Sequence, residues 1–371
     1  MDFDFSDEQT ALREAVQRWV ERAYTFERRR SILTEGGCSR QAYGEMAGLG
    51  LCALTVHEDH GGLGMGPIEA MVAMEELGRG LVLEPLTHTL MASAVLQTHA
   101  PAELRSTWLP RVASGEALIT LAYQERAGRY QIQTCATHAQ AAGKAYVLHG
   151  AKQVVSAGDR ADAFIIPAML KDAMALFLVP AQAPGIQRNG YQTQDGSRAG
   201  DLSLTNTPAH LISTDGLAAL ELAVDTGIAS TCALGVGMME RALALTVDYL
   251  QTRRQFGAPL ASFQALRHRV ADMKMELELA RSMSYYASLK LLAEPAQRRA
   301  AMARAKLQLG QSMRFVGQQA VQLHGGIGMT QEAQISHYFK ALTQLEMTFG
   351  DSLHQLGQVS LLMQDTAGVI T

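Results

Sequence analysis

The sequence predicts an α+β fold that is mainly helical, with a helical region at each end and a strand-rich region between them. Three observations lead to this prediction. Apolar residues repeat with a helical period near the start, short apolar runs separated by turn residues begin near Leu118, and the helical period returns at Leu217 and persists. We therefore expect an N-terminal helical domain over residues 1–117, a β domain over 118–212 and a C-terminal helical bundle over 213–371.

The first helix is predicted by its start signal. Ser6 followed by Gln9 has the spacing of a capping box, in which a side-chain oxygen accepts a hydrogen bond from an early backbone N–H. An apolar stripe follows on one helical face, and a glycine-rich turn at 60–67 later interrupts the helical pattern. Further helices are expected around residues 43–51, 68–81 and 86–97.

Two hairpins are expected in the middle region. The first is predicted to turn at His149-Gly150-Ala151-Lys152 and the second at Lys171-Asp172, because β-favouring runs flank both segments. The flanking runs are 146–148 and 153–155 for the first hairpin, and 164–166 and 176–179 for the second. Strand-like sequence continues to about Leu211.

The C-terminal region carries three apolar stripes at helical spacing, which is typical of a four-helix bundle. Pro295 opens the third helix and Gly325 ends it, and a last helix follows Asp351. The stripes are Leu234, Met238, Ala242, Leu245 and Tyr249; Phe263, Leu266, Val270, Met273 and Leu277; and Met302, Ala305, Leu309, Val316, Ala320 and Leu323.

Composition narrows the class of protein. The chain has 371 residues, is 47% hydrophobic and 18% charged, and carries a net charge of −4, which predicts a globular protein without a nucleic-acid-binding face. Its four cysteines lie far apart and show no metal-binding spacing, as expected in a reducing compartment. The N-terminus is acidic where a signal peptide is basic, and we find no apolar run that would span a membrane. We therefore expect a soluble, cytoplasmic protein.

One segment combines residue types suited to a phosphate-bearing cofactor with a flat ring. Arg253 and Phe256 precede a helix whose first turn carries Gln264. Arginine forks match pyrophosphate geometry, and phenylalanine packs against flat ring systems. Helix capping by cations also explains the arginines, although it does not explain the aromatic residue and the glutamine.

A second segment lies at the end of the third C-terminal helix. Gln322 is followed by His324 and by the pair Gly325 and Gly326. Glycine is common at helix ends, but two consecutive glycines also allow a phosphate or an adenine to approach the backbone closely.

Together the two segments resemble the acyl-CoA dehydrogenase family, in which R-x-x-F-G-x-x-[LI]-x-x-x-Q and Q-x-x-G-G-x-G are characteristic. Gly61-Gly62-Leu63-Gly64, Glu75-Glu76-Leu77-Gly78-Arg79 and Gly150-Ala151-Lys152 are also similar to that family. The resemblance covers essentially the whole chain and includes the helix–sheet–helix order.

This resemblance implies FAD as cofactor, bound between the β domain and the C-terminal helices and completed by a neighbouring subunit. It also implies that a carboxylate removes the α-proton of an acyl-CoA and that electrons pass from FAD to an electron-transfer flavoprotein. The residues that it assigns to FAD are Arg253, Phe256, Gln264, Gln322, Gly325, Gly326 and Ser156.

The sequence departs from the family pattern in the strand-rich region. The family's T-E-P-x-x-G-S-D segment starts at Gln124 here, so a threonine expected beside the flavin and a serine expected near CoA are lost. In the family's K-x-W-I-[ST] segment, Val154 replaces the tryptophan, while Ser156 keeps a hydroxyl.

The expected catalytic glutamate is also missing. The family's Y-E-G-T turn falls on residues 348–351, where Phe349 replaces the glutamate, and the alternative family position falls on Gly227. Neither side chain accepts a proton. Asp351 is the remaining candidate base, although its position favours the role of N-cap of the last helix over that of a base. We expect Glu346 to be a paired or solvated charge.

The resemblance thus implies an enzyme that dehydrogenates an acyl-CoA at its α,β-bond with FAD. The run 347–351 further resembles family members that act on dicarboxylyl-CoA thioesters such as pimeloyl-CoA. The alternative is a catalytically silent subunit that completes the FAD site of a homologous active partner. A homo-oligomer and a hetero-oligomer both fit, and a flavin oxidase or monooxygenase on the same fold is a third interpretation.

Overall fold

The computed structural model describes residues 5–143 and 145–366, which form two compact units. The first unit combines the chain up to Arg29, Met71–Val82 and the chain from Ile228 onward. The second unit combines Arg30–Ala70 and Leu83–Gly227. The boundaries of the three predicted domains stay a prediction.

The N-terminal part is helical, as predicted. The capping box is confirmed, since Ser6 Oγ accepts a hydrogen bond from the Gln9 N–H and the Gln9 side chain accepts one from the Ser6 N–H. Two helices were not predicted from the sequence, one of which contains Pro110 and thereby hides its helical pattern. The helices are α1 (Asp7–Arg22), α2 (Phe26–Thr34), α3 (Arg40–Gly48), α4 (Pro67–Arg79), α5 (Leu86–His99) and α6 (Ala102–Ala113).

The strand-rich region lies within the second unit and forms one seven-stranded sheet. Strands β4, β2, β3, β7 and β5 pair in that order, and β4 also pairs with β5, so these five strands form a closed ring. β1 is added beside β4 and β6 beside β7. The strands are β1 (Ile119–Leu121), β2 (His138–Ala142), β3 (Ala145–Ser156), β4 (Ala163–Leu170), β5 (Ala173–Pro180), β6 (Ile186–Gln192) and β7 (Arg198–Ser213).

One predicted hairpin is confirmed and the other was wrong. β4 and β5 are antiparallel neighbours that turn at Lys171 and Asp172, as expected. The segment around His149 and Gly150 is not a turn, because β3 continues through it as a single strand and pairs with β7 on both sides. Two irregularities in that pairing, one of which spans Lys152 to Val155, produced the hairpin-like pattern in the sequence.

The C-terminal helices lie in the first unit from Ile228 onward, and the predicted bundle is confirmed. α9 begins at Pro295 and is capped by Gly325, as predicted, and it packs against α8, α10 and α11. α7 approaches α9 closely, since a Cβ on Gly235 would lie 2.6 Å from the Met313 sulfur. The elements are α7 (Gly216–Thr252), β8 (Arg254–Gln255), β9 (Ala258–Pro259), α8 (Gln264–Lys290), α9 (Pro295–His324), α10 (Gln334–Met347) and α11 (Ser352–Thr366).

Buried ion pairs tie α1 and α4 to the C-terminal helices within the first unit. The Glu75 carboxylate, on α4, lies 3.2 Å from Arg13 on α1 and 3.3 Å from Arg281 on α8. Burial raises the pKa of Glu75 to about 7, although both arginines oppose the rise. A buried carboxylate with two cationic partners fixes the relative position of these helices.

Among the described helices, α7 is long and apolar enough to cross a membrane by length and composition, and 72% of its most apolar window is buried inside the protein. Such burial is characteristic of a core helix.

Candidate functional site

The Arg253 segment forms a tight hairpin at the end of α7. β8 and β9 pair through a turn whose two central residues, Phe256 and Gly257, have φ angles of 54° and 78°. Positive φ at both positions is the geometry of a two-residue hairpin loop, which explains the glycine. The turn leaves Phe256 90% exposed, and its ring makes an edge-to-face contact with Phe263, with ring centroids 6.1 Å apart.

Arg253 lines a cavity of about 680 Å³ within the first unit. We call it the arginine pocket, and its lining includes Arg253, Arg269, Gln322, His324, Gly325 and Gly326. Within the described chain no aspartate or glutamate lines it, so its two arginines give it a positive charge. Leu260, Leu266 and Ile327 supply apolar wall. Two cations without a carboxylate beside an apolar wall suit a phosphate joined to a flat apolar group.

The paired glycines keep one side of the pocket open. Gly325 ends α9 with a φ of 64°, a backbone conformation that favours glycine. A Cβ added at Gly325 or Gly326 would meet no atom within 4 Å. Packing within the chain therefore does not require glycine at 326, and the open space is available to a ligand.

His324 contributes a flat surface to the same pocket. Its ring stacks on Tyr249 with centroids 4.5 Å apart, and its Nδ1 donates a hydrogen bond to the Ala320 carbonyl at 2.8 Å. Burial lowers the pKa of His324, partly opposed by that hydrogen bond, so the neutral ring is favoured. His324 therefore makes a structural hydrogen bond within α9, and its ring also faces the pocket.

The structure brings together only some of the residues predicted for the cofactor. Arg253, Gln322, Gly325 and Gly326 line one pocket, whereas Phe256 and Gln264 are exposed outside its lining. Sequence reasoning missed Arg269, although its position three residues after Leu266 on α8 places both on the same side of the helix and was a usable signal. The binding roles of all these residues stay predictions.

The loop between α10 and α11 holds no free carboxylate at the expected base position. Phe349 is buried, with 7% of its surface exposed and a φ of 58°. Asp351 lies directly before α11, and its Oδ1 accepts a hydrogen bond from the His354 N–H at 2.8 Å. That contact is the capping interaction anticipated for Asp351.

The Glu346 carboxylate, on α10, also accepts hydrogen bonds at the start of α11. Its Oε1 accepts hydrogen bonds from the Ser352 N–H at 2.9 Å and from the Ser352 hydroxyl at 2.8 Å. Both partners are uncharged, so these contacts hold the Glu346 carboxylate by hydrogen bonds and do not pair its charge. Gly227, the alternative base position, lies buried inside α7 in the second unit.

The strand residues expected near the flavin lie on β3 in the second unit. Val154 sits in the irregular part of the β3–β7 pairing with a φ of 52°, and its N–H donates to Asp201 at 3.1 Å. Positive φ at a β-branched residue is an outlier that costs energy. Its side chain is half exposed, where the family has a tryptophan, and Ser156 ends the same strand half-buried.

A buried ion pair fixes the segment that begins at Gln124. The Lys152 ammonium group, fully buried, donates to Glu125 Oε1 at 2.6 Å, and the Thr137 hydroxyl donates to the same oxygen at 2.7 Å. Burial alone would raise the pKa of Glu125, but the Lys152 and Thr137 contacts and the Ala136 N–H lower it to about 2. Glu125 thus points toward Lys152 as a structural anchor of this loop.

Comparison with known proteins gives the family. Residues 6–116 match the model of the acyl-CoA dehydrogenase N-terminal domain, and residues 214–360 match that of the acyl-CoA dehydrogenase C-terminal domain. The chain belongs to the acyl-CoA dehydrogenase family. The predicted fold, the oxidoreductase class and FAD as the cofactor of the family are confirmed by this membership and by the shared fold.

Three similar proteins align with this acyl-CoA dehydrogenase chain over almost its whole length. Acyl-CoA dehydrogenase FadE27 of Mycobacterium tuberculosis is 27% identical over 99% of this chain and 100% of its own. A chain of a Tcur3481-Tcur3483 steroid ACAD variant is 30% identical, with a TM-score of 0.91 over 97% of this chain and 99% of its own. The ChsE4-ChsE5 complex from Mycobacterium tuberculosis contains a chain that is 26% identical, with a TM-score of 0.90 and full coverage of both.

The acyl-CoA dehydrogenase cofactor fits this chain in part. The arginine pocket suits the adenosine diphosphate half of FAD, because it offers two guanidinium groups and open glycine backbone and no opposing carboxylate. The strand segment lacks two flavin contacts of the family, since Val154 and Gln124 replace the tryptophan and the threonine. In the part of the chain that the structure describes, no three His, Cys, Asp or Glu side chains form a metal site.

Proposed function

We propose that this chain takes part in FAD-dependent α,β-dehydrogenation of an acyl-CoA thioester, with electrons passed to an electron-transfer flavoprotein in the cytoplasm. Membership of the acyl-CoA dehydrogenase family supports the reaction class. The electron acceptor follows from the family resemblance. The run 347–351 resembles the small subunit of pimeloyl-CoA dehydrogenase, which favours a dicarboxylyl-CoA substrate.

When bound, FAD would supply the hydride acceptor for the acyl β-carbon, and a carboxylate would be needed to remove the α-proton. This chain has residues suited to holding the cofactor, but at the family's base position it has none that could remove the proton. Arg253 and the open backbone at Gly325 and Gly326 would hold and orient the diphosphate. Phe349 is buried and cannot remove a proton.

One observation supports a hetero-oligomer in which this chain binds cofactor and another chain supplies the base. It is the hydrogen bonding of the loop after α10. Phe349 stands at the base position, and the two carboxylates nearest to it in the sequence, Asp351 and Glu346, both accept hydrogen bonds at the start of α11. A chain that keeps a diphosphate pocket and lacks a free base is suited to complete the FAD site of a second chain. We therefore propose a hetero-oligomer in which a homologous partner supplies the catalytic carboxylate.

A second candidate is a self-sufficient homo-oligomer in which Asp351 is the base. Its half-exposed carboxylate lies two residues from the family position, and only one of its oxygens is used in the capping contact. Breaking one hydrogen bond would release it. The capping contact makes this candidate the weaker one.

The test is expression of the full chain alone and together with a homologue that carries the complete T-E-P-x-x-G-S-D and Y-E-G-T segments. Bound FAD is measured by visible absorbance, and acyl-CoA oxidation is measured with an artificial electron acceptor. We expect little FAD and no turnover from the chain alone, and co-purification, FAD and turnover from the pair. Replacing the partner's glutamate by glutamine should then abolish turnover without releasing FAD. Stoichiometric FAD and turnover from the chain alone would overturn the hetero-oligomer proposal.

A further inference from the structure

The first turns of α8 present one face to the arginine pocket. Ala265, Leu266 and Arg269 line the cavity, and their spacing places them on one side of the helix. Arg267 and His268 lie between them in sequence and are absent from the lining. Arg269 is therefore aimed at the pocket by its helical position, whereas Arg267 is not.

Arg269 is also held in place from the neighbouring helix. Its Nη1 donates a hydrogen bond to Gln319 Oε1, on α9, at 3.0 Å. This contact uses one of the five guanidinium N–H donors and leaves the others for a ligand. Because no carboxylate of the described chain lines the pocket, the charge of Arg269 adds to that of Arg253.

The start of α8 adds positive potential at the same end of the pocket. Its N-cap residue, Phe263, makes no side-chain capping bond, and the first turn contains no acidic residue. The helix is 27 residues long, so free N–H groups and the positive end of its dipole remain uncompensated there. Such a terminus favours a phosphate when cationic side chains stand beside it.

The end of α9 offers the pocket a hydrogen-bond acceptor and a flat surface instead of positive charge. Its last residue, His324, donates through Nδ1 to Ala320, so the neutral ring carries a lone pair on Nε2 that can accept a hydrogen bond. The stacked pair of Tyr249 and His324 offers a flat surface. An amino-bearing aromatic base fits this end, and a diphosphate fits the end at α8.

We propose that Arg269, positioned by Gln319, is a second diphosphate-binding arginine of the arginine pocket. The ligand is an adenosine diphosphate group, with its phosphates between Arg253 and Arg269 and its adenine toward His324. This inference rests on the proposed function, in which the group belongs to FAD. Coenzyme A carries the same chemistry, so FAD and coenzyme A are compared as separate arms of the test.

The experiment measures binding of ADP, adenosine, FAD and coenzyme A by calorimetry to the co-purified oligomer after its FAD has been removed, independently of turnover. Arg269→Gln should weaken ADP binding about tenfold, since a charge-assisted hydrogen bond is lost, and should leave adenosine binding within about twofold. Arg267→Gln is the matched control, with the same charge change on the same helix, and should change ADP binding less than about twofold at physiological salt. Gln319→Met should give an intermediate loss, and FAD should displace ADP where coenzyme A does not.

The outcomes separate the inference from the proposed function. Unchanged ADP binding in Arg269→Gln, with weakened binding in Arg253→Ala, would overturn the role of Arg269 and leave the cofactor pocket intact. Equal losses of ADP and adenosine binding in Arg269→Gln would also overturn it, because they indicate a disturbed pocket. Displacement by coenzyme A alone would reassign the pocket to the substrate. No ADP or FAD binding by the unmodified oligomer would overturn both this inference and the cofactor part of the proposed function.

Discussion

The buried ammonium group of Lys306 donates a hydrogen bond to the main-chain oxygen of Gly350, 3.1 Å away. It also donates to the main-chain oxygen of Glu346 at 2.8 Å, so one side chain on α9 ties both ends of the loop between α10 and α11. That loop carries Phe349 in its positive-φ conformation, and the Gln355 side chain donates to the Phe349 oxygen at 2.9 Å. The loop that replaces the family's base turn is thus held by buried hydrogen bonds.

The first prediction concerns the pH dependence of this contact. Burial lowers the pKa of Lys306 from 10.5 to about 8, so between these values the unfolded chain binds a proton that the folded chain does not. The cost of keeping Lys306 charged is therefore complete below pH 8 and disappears as pH rises toward 10.5. In urea unfolding, wild type should gain roughly 2 kcal/mol relative to Lys306→Met between about pH 7.5 and about pH 10. The exposed Lys274→Met should show no such gain, and a flat difference for Lys306→Met would contradict the shift.

The second prediction separates capping from catalysis at Asp351. Asp351→Ala should lower the free energy of unfolding by about 1 kcal/mol, whereas Asp351→Asn should cost only a few tenths, because asparagine also caps helices. Turnover of the oligomer should persist in Asp351→Asn, since the carboxylate only accepts the His354 N–H. Loss of turnover in Asp351→Asn with an unchanged melting temperature would instead identify Asp351 as the base.

The third prediction concerns the ion pair that anchors the loop after Gln124. Glu125→Gln leaves the buried Lys152 ammonium group without a carboxylate and should lower the free energy of unfolding by about 3 kcal/mol. The double variant Glu125→Gln/Lys152→Met should recover part of this loss, because no unpaired charge remains. Equal losses in the single and double variants would show that the charge pairing is not the cause.

The same pair should contribute to acid sensitivity. The folded pKa of Glu125 is lowered from 4.5 to about 2, so its stabilising contribution is present above pH 4.5 and is lost as pH falls toward 2. Between about pH 5 and about pH 3, wild type should therefore lose more unfolding free energy than Glu125→Gln. The exposed Glu103→Gln serves as a control and should follow wild type.

The fourth prediction tests Arg253. Arg253→Ala should reduce the FAD retained by the co-purified oligomer after gel filtration while leaving helical content by circular dichroism unchanged. Arg253→Lys should restore retention only in part, because lysine keeps the charge and loses the planar fork. The neighbouring Arg254→Ala removes a charge outside the pocket lining and should retain FAD as wild type does. Equal retention in all three variants would remove Arg253 from the cofactor site.

Short sequence motifs were sufficient to predict where several helices begin or end. The capping box at Ser6 and Gln9 forms as its spacing predicts, and Pro295 and Gly325 mark the two ends of α9. These features depend on residues within one or two turns of each other, so the sequence contains all the information that they need. The hairpin expected at His149 was wrong because turn-like residues there belong to irregular pairing between β3 and β7, which only the partner strand defines.

The sequence by itself determined the helix–sheet–helix order and the absence of a glutamate at Phe349 and Gly227, because residue identity and spacing carry that information. The cofactor class followed from the resemblance to the acyl-CoA dehydrogenase family. Only the tertiary structure decided how the remaining charges are used. It placed Arg269 in the same pocket as Arg253, from another helix, and turned Asp351 toward the start of α11. Those outcomes depend on distances between side chains far apart in the chain, or on the direction of one carboxylate, and the helical period alone specifies neither.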